Sequence, residues 1–236
     1  MAAPKGIPDE LVAGYTMGGR VPVLSWWFDD SDGRPHEPYT PQHFAGLLDA
    51  ARRRQARYYG VTDQWLHAAL DQFPIRGKQV LVYGSATPWY EAVALAHGAS
   101  AVIVSEYNPR TSPHPAVSYL QPDQLGGRRF DCALSISSFE HDGLGRYGDP
   151  LNPEGDLAAM AAARDQVARG GLLYLAVPVG ADAVVWNAHR IYGRLRFPRL
   201  LQGWSLVAAA GFKRGDLRRP PADHHQPVFV LRNDAP

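Results

Sequence analysis

The stretches of this 236-residue chain best suited to chemistry each follow a short apolar run. Gly84, which closes KQVLVYG, is followed by Ser85, Ala86, Thr87 and Pro88. Small residues there let the backbone approach a ligand, and a helix that starts shortly afterwards would turn its first N–H groups toward it. Glu106 lies 22 residues beyond Gly84, at the end of AVIVSEY. A carboxylate in that position can accept hydrogen bonds from both hydroxyls of a ribose. Glu140 and His141 close the run FDCALSISSFEH. An imidazole titrates near neutral pH and can take a proton from a hydroxyl or an amine, which makes His141 the first choice for a general base. Its plain alternative is a histidine that only hydrogen-bonds its own loop.

Asp142, Arg146, Tyr147 and Asp149 follow in a glycine-punctuated loop too polar to be core, a candidate substrate wall. Asn187, His189, Arg190 and Tyr192, just after LLYLAVPVG, are placed to complete it. Arg190 suits a carboxylate or phosphate on a substrate, and equally a loop acid such as Asp149. His141, Asp142, His189, His224 and His225 carry metal-ligand chemistry, but their spacing fits no recognised metal motif.

The elements that must position these residues are legible from periodicity. KQVLVYG, AVIVSEY, FDCALSIS and LLYLAVPVG read as buried parallel strands, separated by helical or loop-like segments. Such alternation predicts a parallel sheet with helices on both faces, and ligands of such sheets bind beyond the carboxyl ends of the strands. Glu91 to His97 reads as a helix, and Asn152 with Pro153 caps another running to about Ala168, broken by Gly170 and Gly171. The C-terminal stretch from Gly203 to Asn233 predicts a helix and two final strands. Before the sheet, Thr40 with Pro41 opens a helix to about Arg57, and Thr62 before Asp63 opens a second that ends before Pro74. The first 40 residues are irregular, with Trp26, Trp27 and Phe28 expected to staple them onto a neighbouring surface. The division expected is an irregular segment and helical cap over 1–76 and an α/β domain over 77–236.

The downstream half makes the pattern specific. FDCALSISSFEH resembles the fourth-strand motif of class I S-adenosylmethionine-dependent methyltransferases, and ARGGLLYLAVP resembles the glycine turn and fifth strand that follow it. GLGRYGDPLNPEGDL with PVGADAVVWNAHRIYG more narrowly resembles an uncharacterised domain family related to those enzymes. The resemblance covers about residues 78–232. It implies a three-layer, doubly wound, mostly parallel seven-stranded sheet whose last strand, near VFVLRN, runs antiparallel. It also implies S-adenosylmethionine as cofactor, with Glu106 on the ribose, Gly84, Ser85, Ala86 and Thr87 against the methionine part, and Ser137 and Ser138 on the methyl side. His141 and Glu140 would stand beside the methyl group, and Arg146, Tyr147, Asn187, His189 and Arg190 around a small-molecule substrate, a sugar or secondary metabolite.

Three expected features are missing. Val82 stands where these enzymes carry an acid two places before the first glycine, and Ala86 and Pro88 replace the later glycines of Gly-x-Gly-x-Gly. Pro88 removes a backbone donor and fixes φ near −65°. The resemblance therefore leaves two outcomes open: a variant turn that still holds the cofactor, or an eroded domain that binds a metabolite or protein partner without methyl transfer.

Composition narrows the partners. Lys plus Arg (24) nearly balances Asp plus Glu (23), so no chain-wide basic field favours nucleic acid. No apolar run reaches the roughly 18 residues of a membrane span, and the N-terminus lacks a signal-peptide core. A cytoplasmic enzyme is expected, with a homodimer left open. The single cysteine, Cys132, reads as a core thiol.

Overall fold

The computed structural model of the protein describes residues 4–25, 27–28, 40–108, 110–221 and 225–234. Helix α1 (Asp9–Tyr15), the short strand β1 (Val23–Leu24) and helices α2 (Pro41–Arg52) and α3 (Val61–Gln72) come first. The central run is β2 (Gln79–Tyr83), α4 (Trp89–Ala96), β3 (Ala101–Ser105), β4 (Val117–Leu120), β5 (Phe130–Ile136), α5 (Gly155–Gln166) and β6 (Val167–Ala176). Then follow β7 (Ala183–Val185), β8 (His189–Ile191), α6 (Phe197–Leu200), β9 (Ser205–Ala210) and β10 (Val228–Arg232).

Seven strands form one sheet in the order β4-β3-β2-β5-β6-β10-β9. The first five are parallel, and β10 runs antiparallel to both β6 and β9. Because strand side chains alternate between faces, the sheet builds two cores. Val80, Val82, Val102, Val104, Cys132 and Leu134 pack on one face with Phe44, Leu66, Leu70 and Val93 of α2, α3 and α4. Leu81, Ile103, Ala133, Leu173 and Leu175 pack on the other with Met160, Ala163 and Leu200 of α5 and α6. The fold is therefore the expected three-layer doubly wound α/β architecture. Its strand order reverses between β2 and β5, the place where such sheets open a crevice. Among the described residues no helix is long and apolar enough to cross a membrane.

Several elements differ from the sequence reading. Thr40 caps α2 as expected, its side chain accepting from the N–H of His43, but the helix stops at Arg52 because Arg54 turns to φ 57°. The N-cap of α3 is Gly60, not Thr62, since the Asp63 carboxylate gathers the N–H groups of Arg57, Tyr58 and Tyr59 and folds that segment away from helix. Gly170 and Gly171 lie inside β6, at a register irregularity against β5, so the strand starts at Val167 directly after α5. The C-terminal helix is reduced to a 3-10 turn over Arg214–Arg218 between the two last strands. A second small sheet, β1-β7-β8, was not anticipated. It joins the N-terminal segment to the residues after β6 and carries His189 and Arg190.

Candidate functional site

A cavity of about 570 Å³ opens at the carboxyl ends of β2, β3 and β5. Its wall includes Gly84, Ser85, Ala86, Thr87, Glu106, Ser137, Ser138, Glu140, His141, Arg146, Tyr147 and His189. Most of the residues singled out by sequence thus meet around one space.

Gly84 ends β2 with φ 65°, and a Cβ added there would come 2.8 Å from Ser138 Oγ. The left-handed backbone favours glycine here, and a side chain would also have to turn the Ser138 hydroxyl aside. The N–H of Ser85 donates to Glu106 Oε2 at 3.1 Å and that of Asn108 to Oε1 at 3.2 Å, which fixes the carboxylate against the turn while it faces the cavity. Under the turn, Ser85 Oγ lies 2.5 Å from Oε1 of the fully buried Glu91 and donates to Thr87 O at 2.9 Å; Tyr119 donates to Glu91 Oε1 at 2.9 Å. Burial pushes the Glu91 carboxyl up to about 7. Pro88 is the N-cap of α4, outside the hydrogen-bonded turns, so the donor it lacks is not missed by the helix ladder.

At the end of β5 the chain makes a 3-10 turn over Phe139–His141. Ser137 donates to Glu140 Oε1 at 2.6 Å, and Glu140 Oε2 has no hydrogen-bond partner among the described residues. Burial raises this carboxyl to about 7. The Nδ1–H of His141 donates to the carbonyl of Ala188, since a carbonyl can only accept; this fixes the tautomer and leaves Nε2 as an acceptor, 3.7 Å from Glu140 Oε1. Burial first, then the Arg146 charge, push the imidazole down to about 3, so it is a neutral group at any ordinary pH. Asp142 is raised to about 8 by burial and by Asp149 beside it. The Arg146 guanidinium stacks 4.5 Å above the Trp27 ring and 5.2 Å from that of Tyr147. Trp26, its neighbour in the expected aromatic staple, and His224 lie outside the described residues.

Four expected wall residues, Arg190, Asp149, Tyr192 and Asn187, do not line the cavity. Arg190 is fully buried and donates to the carbonyls of Asp142 at 2.6 Å and Asn152 at 3.1 Å, with its Nε 3.6 Å from Asp156. It clasps the 142–153 loop from behind instead of meeting a substrate or Asp149; Asp149 instead accepts from the N–H groups of Gly143 and Gly145. Tyr192 donates to Asp156 at 2.9 Å, completing a buried polar cluster with Arg196. Asn187, buried at φ 53°, does not line the cavity.

Sequence reasoning missed Tyr58, Tyr59, Tyr90 and Gln226, all on the cavity wall. Tyr58 and Tyr59 sit in the segment gathered by Asp63, and Gln226 arrives from just before β10. Glu91 left a usable signal: a lone acid in the otherwise apolar helix WYEAVALA.

The fold is shared with solved methyltransferases. The N-methyltransferase NodS from Bradyrhizobium japonicum WM9 is similar with a TM-score of 0.51 at 16% identity, over 74% of this chain and 95% of that one. A chain of the complex between the Haloferax volcanii Trm112 methyltransferase activator and a methyltransferase gives 0.50 at 12% identity, over 84% and 99%. No curated protein matches this sequence. Residues 77–218 match the family described as "Caenorhabditis protein of unknown function, DUF268", and the chain belongs to it.

Proposed function

We propose that the protein is an S-adenosylmethionine-dependent methyltransferase acting on a small molecule, a sugar or secondary metabolite. The observation that carries this reading is the pairing of Gly84 and Glu106 at the ends of neighbouring strands, tied by the Ser85 N–H and open to one cavity. The residues fit the cofactor. Gly84 to Thr87 line the wall, and the Glu106 carboxylate, which takes two backbone donors and has the Arg110 guanidinium 3.8 Å away, keeps further lone pairs for the ribose hydroxyls. S-adenosylmethionine, when bound, supplies an electrophilic methyl group. Ser137 and Ser138 line that side, and Arg146, Tyr147 and His189 bound the substrate space.

The proton released by the acceptor is best assigned to Glu140. A base works best when its pKa lies near the working pH. A carboxyl raised to about 7 meets that condition, whereas an imidazole lowered to about 3 does not. His141, its tautomer set by Ala188, then holds its Nε2 beside Glu140 as a hydrogen-bond acceptor.

The rival reading, an eroded scaffold, draws on Ala86 and Pro88. Calorimetry with S-adenosylhomocysteine separates the two. The methyltransferase reading expects binding that Ala86→Gly with Pro88→Gly does not improve; an eroded site expects no binding until the glycines are restored.

A further inference from the structure

One end of the cavity is left unused by the cofactor assignments. Tyr58 meets Tyr59 edge to face with ring centroids 4.6 Å apart, and meets Tyr90 in the same way at 6.4 Å. A single buried carboxylate organises the three: Asp63 accepts from the N–H groups of Tyr58 and Tyr59 at 2.8 and 3.3 Å and from the Tyr90 hydroxyl at 3.0 Å. Beside this box, Gln226 Nε2 donates to Ser137 Oγ at 3.2 Å, and Ser137 donates to Glu140 Oε1 at 2.6 Å. The direction of that chain leaves Gln226 Oε1 and Glu140 Oε2, both buried, as acceptors with no donor among the described residues. Buried acceptors without donors are costly and uncommon, so each calls for a partner. Tyrosine faces attract cations.

We propose that this end of the cavity is an amine subsite, where a primary or secondary ammonium rests against the tyrosine faces and donates N–H groups to Glu140 and Gln226. A hydroxyl fits less well, since it brings one donor and no charge to two acceptors and an aromatic box. That the amine belongs to the methyl acceptor rests on the function proposed above; the binding itself does not. S-adenosylmethionine carries an ammonium of its own, so the two occupants must be told apart.

The test titrates the full chain with benzylamine, butylamine and glucosamine, each against its hydroxyl counterpart (benzyl alcohol, butanol, glucose), with and without saturating S-adenosylhomocysteine. At least one amine is expected to bind ten or more times more tightly than its counterpart with S-adenosylhomocysteine present, and Glu140→Gln to reduce that preference at least fivefold. Tyr58→Leu should weaken the same amine; Tyr58 is 43% exposed, so this variant reports even if Glu140→Gln fails to fold. Equal or absent binding across all three pairs, displacement of the amine by S-adenosylhomocysteine, or an amine preference untouched by these variants would overturn the proposal. A protein that binds an amine but not S-adenosylhomocysteine would keep the subsite and remove the methyl-transfer reading.

Discussion

Glu91 and Glu140 are chemically near twins in two regions of the molecule. Each is fully buried, each is raised to about 7 by burial, and each has its Oε1 bonded to a serine just past a strand, Ser85 after β2 and Ser137 after β5. In both, Oε2 has no partner among the described residues. What differs is the far side of the serine. Ser85 Oγ has one proton and two acceptors within reach, Thr87 O and Glu91 Oε1. A protonated Glu91 that donates to Ser85 lets the hydroxyl donate onward to Thr87, so the raised pKa holds the turn in shape. Glu140 stands on the cavity wall, with His141 Nε2 and the Arg146 charge beside it, and Glu91 does not. One carboxyl supports backbone, while the other belongs to the cavity wall.

That contrast is broken most severely by kinetics. Glu140→Gln should lower methyl-transfer turnover by about 10²–10⁴-fold, the usual worth of a proton acceptor. Glu91→Gln should instead weaken S-adenosylhomocysteine about fivefold, the worth of roughly one hydrogen bond, with turnover at saturation little changed. Equal kinetic losses at both positions would erase the distinction.

The next effect is on stability and should be shared. Both carboxyls keep their protons in the fold up to about 7, whereas the unfolded chain releases them near the ordinary value of 4.5. Their contribution is fully present below about pH 4.5 and is lost as pH rises through about 7. A glutamine suffers no such loss, so the stability of Glu140→Gln relative to the parent should rise across that window, by up to about 3 kcal/mol. Denaturant titrations at pH 4.5, 6 and 8 read this directly, and a difference independent of pH would contradict it. The smallest effect is that of the serines: Ser85→Ala and Ser137→Ala should each cost about 1 kcal/mol in the same assay. Ser85→Ala should also weaken S-adenosylhomocysteine through the turn.

The same contrast marks what the sequence made legible. β2, β3 and most of β6 are dense in Val, Ile and Leu, and β5 is apolar at five of its seven positions; all are largely buried, so their runs stand out, and the residues just past them fell onto the cavity. β4 escaped notice because it is a four-residue edge strand, half exposed. Arg190 was misread because its partners are backbone carbonyls from Glu140, Asp142, Asn152 and Pro153, and a cage of that kind leaves no mark in side-chain spacing. The tyrosine box depends on Asp63 drawing a segment back on itself and on the Tyr90 helix, distant in sequence, meeting it there, a tertiary event without local periodicity.

Methyl transfer as proposed requires Glu106 and the Gly84 turn to act as one binding edge. Isothermal calorimetry of S-adenosylhomocysteine against the parent protein and Glu106→Ala measures that most directly. Saturable one-to-one binding by the parent, weakened at least about 30-fold in the variant as two charge-assisted hydrogen bonds are lost, is the predicted result. Absence of binding by the parent, or equal affinity in the two proteins, would contradict it.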